Sequence, residues 1–466
     1  MRSAVAAAYS ALAARASRGK ANSECYTPAM FRGFLFCGFL LALGIFATRA
    51  QAPSQRVQEL QRQAHAQAAA GDWAAAIASY DEELRISPHN LIAEIELAQA
   101  YRGVHNYDEA KRILERAHTE HPQSAGPFAT LGDLDIEMQA YDAAIAHLRA
   151  ALVLAPSDVE SRNRLAVAYQ AKGDLENALA QIAKVLARDP KSALARYTRA
   201  KIYSDRNQDR AALPDAMKVV ELQPRNPRGR LLLGKIFLRA PQNEAPEQTK
   251  ERCERAIATL EPLLEMSAGD SETLFLLSRA YECAGASEQA QKTLAEFEAS
   301  SKNDRETKEN QTQAKHLVQQ ANELALKNDF AGSLDLLQQA IAKDATYGAA
   351  YSQLAKLYYS AGDVDKASEA ISQALERDPY QPDFLYVQGK IFEKQGKLEE
   401  ALGAFERTTI VNPKESDAFY EMGVIYEHRG DPEHALAAYK KAARLSPDDQ
   451  EYQRALAALA GHTAKP

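Results

Sequence analysis

The sequence has few of the residues and motifs on which catalysis, metal binding or covalent cross-linking depend. Its 466 residues include four cysteines, ten histidines and one tryptophan. They contain no Gly-rich phosphate loop, no HExxH motif and no CxxC pair. No serine, cysteine or lysine stands out as an activated nucleophile. We therefore expect a chain without enzymatic activity, cofactor or metal.

Positive charge is scarce over most of the chain. The net charge is −7, and residues 1–52 hold six Lys/Arg against a single acid, Glu24, so the remainder carries −12. An acidic body repels a phosphate backbone, which disfavours general nucleic-acid binding. We expect no nucleic-acid partner.

Long apolar runs are absent except for one near the N-terminus. Arg32 precedes the apolar residues 34–47, and a small-x-small site ends at Ala52. This is the three-part pattern of a secretory signal peptide cleaved after Ala52, with translation starting at Met30. The alternative is an uncleaved anchor formed by residues 34–47, although a membrane span needs about 20 residues. Residues 1–29, rich in Ala and Arg, also suit an organelle transit peptide.

What the chain does have is an internal repeat with a period of 34 residues. Repeat 6 carries an insertion of about ten residues around Pro241–Lys250, which we interpret as a lengthened loop between two helices. Positions are counted below from the first residue of each repeat, with that insertion left out. The eleven repeats begin at Val57, Leu91, Ala125, Val159, Ala193, Pro227, Ser271, Ala314, Gly348, Pro382 and Ser416.

The repeat columns predict a pair of packed helices. Position 8 is Gly, Ala or Ser throughout, position 20 is Ala in ten repeats, and position 11 is aromatic in eight. Positions 4, 7, 8 and 11 share one face of a helix. Gly at position 15 ends that first helix, and Pro at position 32 stops the second. Small residues on both helices allow their axes to approach closely, and stacked pairs bury a continuous core.

These columns resemble the tetratricopeptide repeat over about Val57 to Asp449. The resemblance implies an all-α, right-handed superhelical solenoid whose concave groove binds peptides or proteins. We expect repeats 1–7 in residues 53–304, a polar linker at 301–313, and repeats 8–11 in residues 314–449. That linker suits either a long exposed helix or a loose connection. Residues 450–466 should form a capping helix and tail.

In the resembling family, positions 2, 5, 9, 12 and 13 of the first helix line the groove. Here they combine basic and aromatic residues, which suit an acidic, partly apolar peptide. The alternative is an ordinary solvated helix flank. The predicted groove residues are Tyr197, Lys201, Arg228, Lys235, Arg239, Phe275, Arg279, Lys356, Tyr359, Tyr386, Lys390, Lys394 and Tyr420.

One cysteine pair and one histidine pair are candidates for a covalent bond and a metal site, respectively. Cys253 and Cys283 fall on the same edge of the stack and could form a disulfide in an oxidising compartment, or remain two buried thiols. His118 and His121 flank Glu120, but without further ligands this pattern indicates a solvated helix end.

The sequence thus predicts a non-enzymatic scaffold for a protein or peptide partner. We expect export to the periplasm or cell envelope, with a role in envelope assembly or secretion. One alternative is a membrane-anchored regulatory or sensor component with a cytosolic array. Another is an adaptor for an anionic polysaccharide. The sequence leaves the oligomeric state open.

Overall fold

A computed structural model describes residues 55–239, 244–266 and 270–463. The predicted signal segment 34–47 and its cleavage site at Ala52 lie outside these residues. The described residues from Leu60 onward belong to one compact unit. This part holds 22 helices and no strand.

The helices alternate along the chain as the repeat predicts. Position 16 caps many second helices: Asp174, for example, accepts a hydrogen bond from the backbone N–H of Asn177. Gly173 ends the helix before it in the left-handed conformation. The helices are α1 55–69, α2 Trp73–Ile86, α3 Leu91–Gly103, α4 Tyr107–Glu120, α5 Gly126–Glu137, α6 Tyr141–Leu154, α7 Val159–Lys172, α8 Leu175–Arg188, α9 Ala193–Asp205, α10 Asp209–Leu222, α11 Pro227–Leu238, α12 Pro246–Met266, α13 Ser271–Ala284, α14 Ser287–Leu326, α15 Phe330–Lys343, α16 Gly348–Ser360, α17 Val364–Arg377, α18 Pro382–Lys394, α19 Leu398–Val411, α20 Ser416–His428, α21 Pro432–Leu445 and α22 Gln450–Thr463.

Two segments that break the repeat contain helical residues. In the insertion of repeat 6, which was predicted to be a loop, α12 already begins at Pro246 and runs for 21 residues. The residues 301–313 lie inside α14, a single helix of 40 residues. This helix therefore supplies both the second helix of repeat 7 and the first helix of repeat 8.

The core is a series of small clusters, each shared between neighbouring repeats. Position 24 of one repeat packs against positions 7 and 10 of the next, as Leu114 does against Leu131 and Leu134. After repeat 11 the capping helix takes this role, since Leu459 packs against Tyr439. Except in repeat 7, each second helix is therefore buried by the helix that follows it in the array.

Repeats 9 and 10 also pack against repeats 1 and 2. The Tyr380 hydroxyl accepts a hydrogen bond from the backbone N–H of Trp73 at 2.9 Å and donates one to the Gly71 carbonyl. The Asn106 side-chain amide donates to the Ile410 carbonyl at 2.8 Å. Tyr380, Ile410 and Val411 are half-buried against the core of the first repeats. We call this contact, between residues about 300 positions apart, the clasp.

The clasp contains Trp73, the only tryptophan of the sequence, so tryptophan fluorescence reports directly whether the clasp is formed. Tyr380→Phe removes two hydrogen bonds, which should lower the free energy of unfolding of the clasp by about 1–3 kcal/mol. Acrylamide quenching of Trp73 fluorescence during a urea titration should then rise at a lower urea concentration. Tyr359→Phe is the matched control, because the Tyr359 hydroxyl forms no hydrogen bond with any described residue. Equal behaviour of the two variants would contradict the clasp.

Close packing of the helix pair can be tested in repeat 10. A Cβ atom on Gly389, at position 8, would lie 2.5 Å from the ring of Phe405 at position 24. Gly389→Ala should therefore cost about 1–3 kcal/mol of unfolding free energy. Repeat 2 carries Ala98 and Leu114 at these positions, so adding Phe405→Leu should recover part of the loss. Urea denaturation of the two single variants and the double variant measures the coupling, and strictly additive effects would refute it.

Candidate partner-binding surface

Ion pairs connect the first helices of neighbouring repeats along the predicted groove. A basic residue at position 9 meets a carboxylate at position 2 or 6 of the next repeat. Lys235 lies 2.5 Å from Glu272 across such a junction. Other pairs are His65–Glu96 at 2.8 Å, Lys356–Asp383 at 2.7 Å and Lys390–Glu421 at 2.8 Å. Repeats 3 and 4 use the reverse order, with Asp133 2.6 Å from Arg164.

This pairing divides the predicted groove cations into two groups. Besides Lys235, Lys356 and Lys390, Lys201 pairs with Asp205 at 2.9 Å and Arg239 with Asp209 at 3.2 Å. Arg228, Arg279 and Lys394 have no carboxylate partner among the described residues. A partner of opposite charge therefore meets three uncompensated cations, and it must compete with internal carboxylates for the other five.

Two of the uncompensated cations lie over aromatic rings of the predicted groove. The Arg279 guanidinium is 5.8 Å from the centre of the Phe275 ring, and the Lys394 ammonium is 4.8 Å from that of Tyr359. Phe275 is 40% exposed. A cation beside an exposed ring offers one charged and one apolar contact at the same point.

The remaining predicted groove aromatics are fixed by hydrogen bonds, ring stacking or packing against the core. The Tyr386 hydroxyl donates to Glu421 at 3.3 Å, and that of Tyr420 donates to Glu451 at 2.9 Å. Tyr420 also stacks on Tyr452, with ring centres 4.9 Å apart. Tyr197 packs against the core of repeats 5 and 6. The structure thus gathers the predicted residues into one group in repeats 5–7 and another in repeats 9–11.

A pocket of about 480 Å³ opens on the groove between repeats 8 and 9. Its lining includes Asn322, Leu326, Phe330, Lys356 and Ser360. Leu326 is 86% exposed and Phe330 43%. Sequence reasoning identified Lys356 but missed the two apolar residues. The signal was present, since Leu326 is the only large aliphatic residue in column 13.

The exposure of Leu326 follows from the repeat geometry. Position 13 normally packs beside position 17 of the preceding repeat: the Trp73 ring lies against Gly103, and Arg239 pairs with Asp209. Among the described residues, no preceding repeat lies against repeat 8, because α14 continues through the residues before it. Leu326 is therefore left uncovered.

A second cavity, of about 740 Å³, lies beside the insertion of repeat 6. Arg239, Phe237 and Arg252 are among its lining residues. Arg252 pairs with Glu244 at 2.9 Å, and Arg255 lies 4.9 Å over the Phe237 ring. Its cations are thus largely engaged by the protein itself.

The two cysteines after residue 52 are joined in the structure. Cys253 of α12 and Cys283 of α13 form a disulfide with Cα atoms 5.9 Å apart. Cys253 is fully buried. The bond links the second helix of repeat 6 to the first helix of repeat 7.

His121 and Glu120 lie close to Glu94, a residue that sequence reasoning missed. Ligand atoms of Glu94, Glu120 and His121 lie within 4.8 Å of one another. The Arg116 guanidinium is 3.2 Å from Glu94 and 3.9 Å from Glu120. Burial raises the pKa of Glu94. Because Arg116 already supplies positive charge to both carboxylates, we interpret this cluster as a structural ion network. His118 lies apart from it, with its ring 4.1 Å from that of Phe128.

Family models described as tetratricopeptide repeat match residues 67–131 and 135–202, and again 318–382, 351–410 and 386–450. Together they cover more than half of the chain. The chain belongs to the tetratricopeptide repeat family. The predicted all-α solenoid is thereby confirmed, and tetratricopeptide repeats are scaffolds for protein–protein interaction.

This chain also resembles a solved structure, at low sequence identity. A chain in the crystal structure of the APC/C hetero-tetramer Cut9-Hcn1 is 11% identical, with 87% of this chain and 96% of that chain covered and a TM-score of 0.30. No curated protein matches. Among the described residues, no helix is long and apolar enough to cross a membrane.

One groove residue of this tetratricopeptide repeat array should titrate near pH 6. Burial raises the pKa of Asp133 to about 6 against the opposing effect of Arg164. Because the folded pKa exceeds the unfolded one, protonation of Asp133 stabilises the fold. This stabilisation is complete below about pH 4 and is lost as the pH rises through 6.

Asp133→Asn should remove this part of the pH dependence. Urea denaturation between pH 4 and 7 measures it as the difference between the wild-type protein and the variant. Asp142→Asn is the control, because Asp142 is exposed at the same end of the array and pairs with Lys172. A constant difference between wild type and Asp133→Asn across this range would show that the assignment is wrong.

Proposed function

We propose that this protein is a non-enzymatic scaffold, exported to the periplasm or cell envelope, that binds acidic and partly apolar segments of other proteins in its groove. The observation that carries the proposal is the pairing of uncompensated cations with groove aromatics, Arg279 with Phe275 and Lys394 with Tyr359. The apolar pocket between repeats 8 and 9 continues this surface.

The chemistry of these sites favours a peptide over a polymer of uniform charge. Five of the eight predicted groove cations are already paired with carboxylates of the chain. An anionic polysaccharide would need a continuous row of free cations. A peptide needs only local sites where a carboxylate and an apolar side chain bind together.

Export is supported by the signal-peptide pattern and by the cysteine pair. A disulfide between Cys253 and Cys283 persists in an oxidising compartment. The anchored alternative, with a cytosolic array, would expose the same bond to reducing conditions. A role in envelope assembly or secretion follows from this location and is proposed with it.

The first experiment is the intact mass of the native protein with and without thiol alkylation. We expect a chain that begins at Pro53 and takes up no alkylating agent until it is reduced. A mass that retains residues 34–47 would favour the anchored alternative instead. Free thiols in the native protein would count against an oxidising compartment.

Partner binding is tested by cross-linking the full chain in its native cells and identifying the captured proteins. Arg279→Glu and Lys394→Glu together should reduce capture about tenfold or more, because they reverse the charge at both cation–aromatic sites. Lys218→Glu is the control, since Lys218 is exposed on a second helix and pairs with Glu221. Capture that is unaffected by the groove variants would overturn this assignment of the groove.

A further inference from the structure

The second helix of repeat 7 differs from all the others in its inner face. Position 24 is at most 3% exposed in the other ten repeats, whereas Leu294 of repeat 7 is 42% exposed. Repeat 7 differs in the same way at positions 20 and 27, since Ala290 and Phe297 are the only members of their columns that are not buried. The buried members of column 24 are Tyr80, Leu114, Leu148, Ile182, Ala216, Leu260, Leu337, Ile371, Phe405 and Tyr439.

The inner face of the second helix of repeat 7 is exposed because no first helix of the described residues packs directly after it. In the regular array the next first helix covers this face, as Leu276 and Leu277 cover Leu260. After repeat 7 the chain continues as the helical residues 301–313, which place Ala314 about 20 Å further along α14. Among the described residues, no helix takes the vacant position. We call the surface formed by Phe275, Ala290, Leu294 and Phe297 the open face.

A charge at the edge of the open face also lacks its usual partner. Arg279 occupies position 9, where Lys235, Lys356 and Lys390 reach a carboxylate at position 2 or 6 of the next repeat. Arg279 instead lies over the ring of Phe275, with no carboxylate partner among the described residues. The open face therefore combines apolar side chains with an uncompensated cation.

We propose that the open face binds an amphipathic helix of a partner protein, which takes the place of the missing first helix. The regular array defines its pattern: apolar residues at i, i+4 and i+7, as at positions 3, 7 and 10, and an acidic residue at i−1 or i+3 to pair with Arg279. This inference rests on the proposed scaffold function and names one partner class for it.

We assign the open face to a partner because the helices of the described residues are already in use. The eleven first helices of the described residues each pack within their own repeat, and α22 covers repeat 11 through Leu459. The open face also continues an interface that the protein builds ten times with the same positions. A helix that docks there would extend an established mode of packing.

The probe is a synthetic peptide with the sequence of α20, Ser416–His428, stapled on its solvent face to hold it helical. Asp417 and Glu421 stand at its positions 2 and 6, and Ala418, Met422 and Ile425 at positions 3, 7 and 10. Fluorescence anisotropy with the full chain should show saturable binding. A peptide that fails to saturate would overturn the proposal.

Substitutions on the open face should weaken this binding. Leu294→Asp adds a desolvated charge opposite the apolar positions, and Arg279→Glu places like charges together, so each should raise the Kd about tenfold or more. A peptide with Lys in place of Asp417 and Glu421 should bind Arg279→Glu better than it binds wild type. Leu294 is substantially exposed, so circular dichroism and the melting temperature should remain close to wild type.

Val153→Asp is the matched control. Val153 is more exposed than Leu294, at 78% against 42%, and lies on the second helix of repeat 3, away from the open face and from the groove sites. Its substitution should leave the Kd of the peptide unchanged. Equal weakening by Val153→Asp and Leu294→Asp would show that the peptide binds elsewhere, and the proposal would fail.

A photo-cross-linking residue at position 294 of the full chain distinguishes the other occupants. An adduct with the apolar face of the peptide supports the proposal. A product of twice the chain mass would assign the open face to a second copy, and an internal link to residues before Glu59 would assign it to the chain itself; either overturns the proposal. If peptide binding fails while capture still depends on Lys394, only this inference falls. If both fail, the scaffold function falls as well.

Discussion

The structure depends on one packing constraint: the inner face of a second helix can be buried only by the helix that follows it. Leu148, for example, packs against Leu165 and Ala168 of the next repeat as well as against its own pair. A buried leucine of this kind contributes about 1.5–3 kcal/mol, and a single pair of helices has only one side on which to bury it. The array therefore needs a final helix that completes it, and α22 supplies one for repeat 11.

The fold could be predicted from the sequence because this constraint acts at fixed spacing. Small residues at position 8, alanine at position 20 and a large side chain at position 24 recur together, and each column reports a contact within about 34 residues. The helical state of residues 301–313 could not be decided in the same way. That stretch lacks Gly and Pro, which permits a helix, but no repeat column extends over it.

The candidate site could be predicted less completely, because its properties arise between repeats. Lys235 and Lys356 were identified as groove cations from their own column. Their carboxylate partners stand in other columns of the next repeat, so the sequence indicated more free positive charge than the structure has. The residues of the clasp do not recur with the repeat, so no column predicts this contact. Its one sequence signal is Tyr380, an aromatic residue at position 33, where the regularly spaced loops otherwise carry polar residues.

The clasp and the continuous helix α14 together explain why the open face stays open. A flexible linker of the length of residues 301–313 would let repeat 8 approach Leu294, although its positions 3, 7 and 10 are the exposed polar residues His316, Gln320 and Glu323, which would bury no apolar surface there. The continuous helix α14 prevents this approach, since its backbone hydrogen bonds keep Ala314 about 30 Å from Leu294. The clasp restrains the second half again at repeats 9 and 10, through Tyr380 and Ile410. Repeat 7 thus keeps an uncovered apolar face beside a groove, and its exposure follows from how the two halves are joined rather than from a defect in the repeat itself.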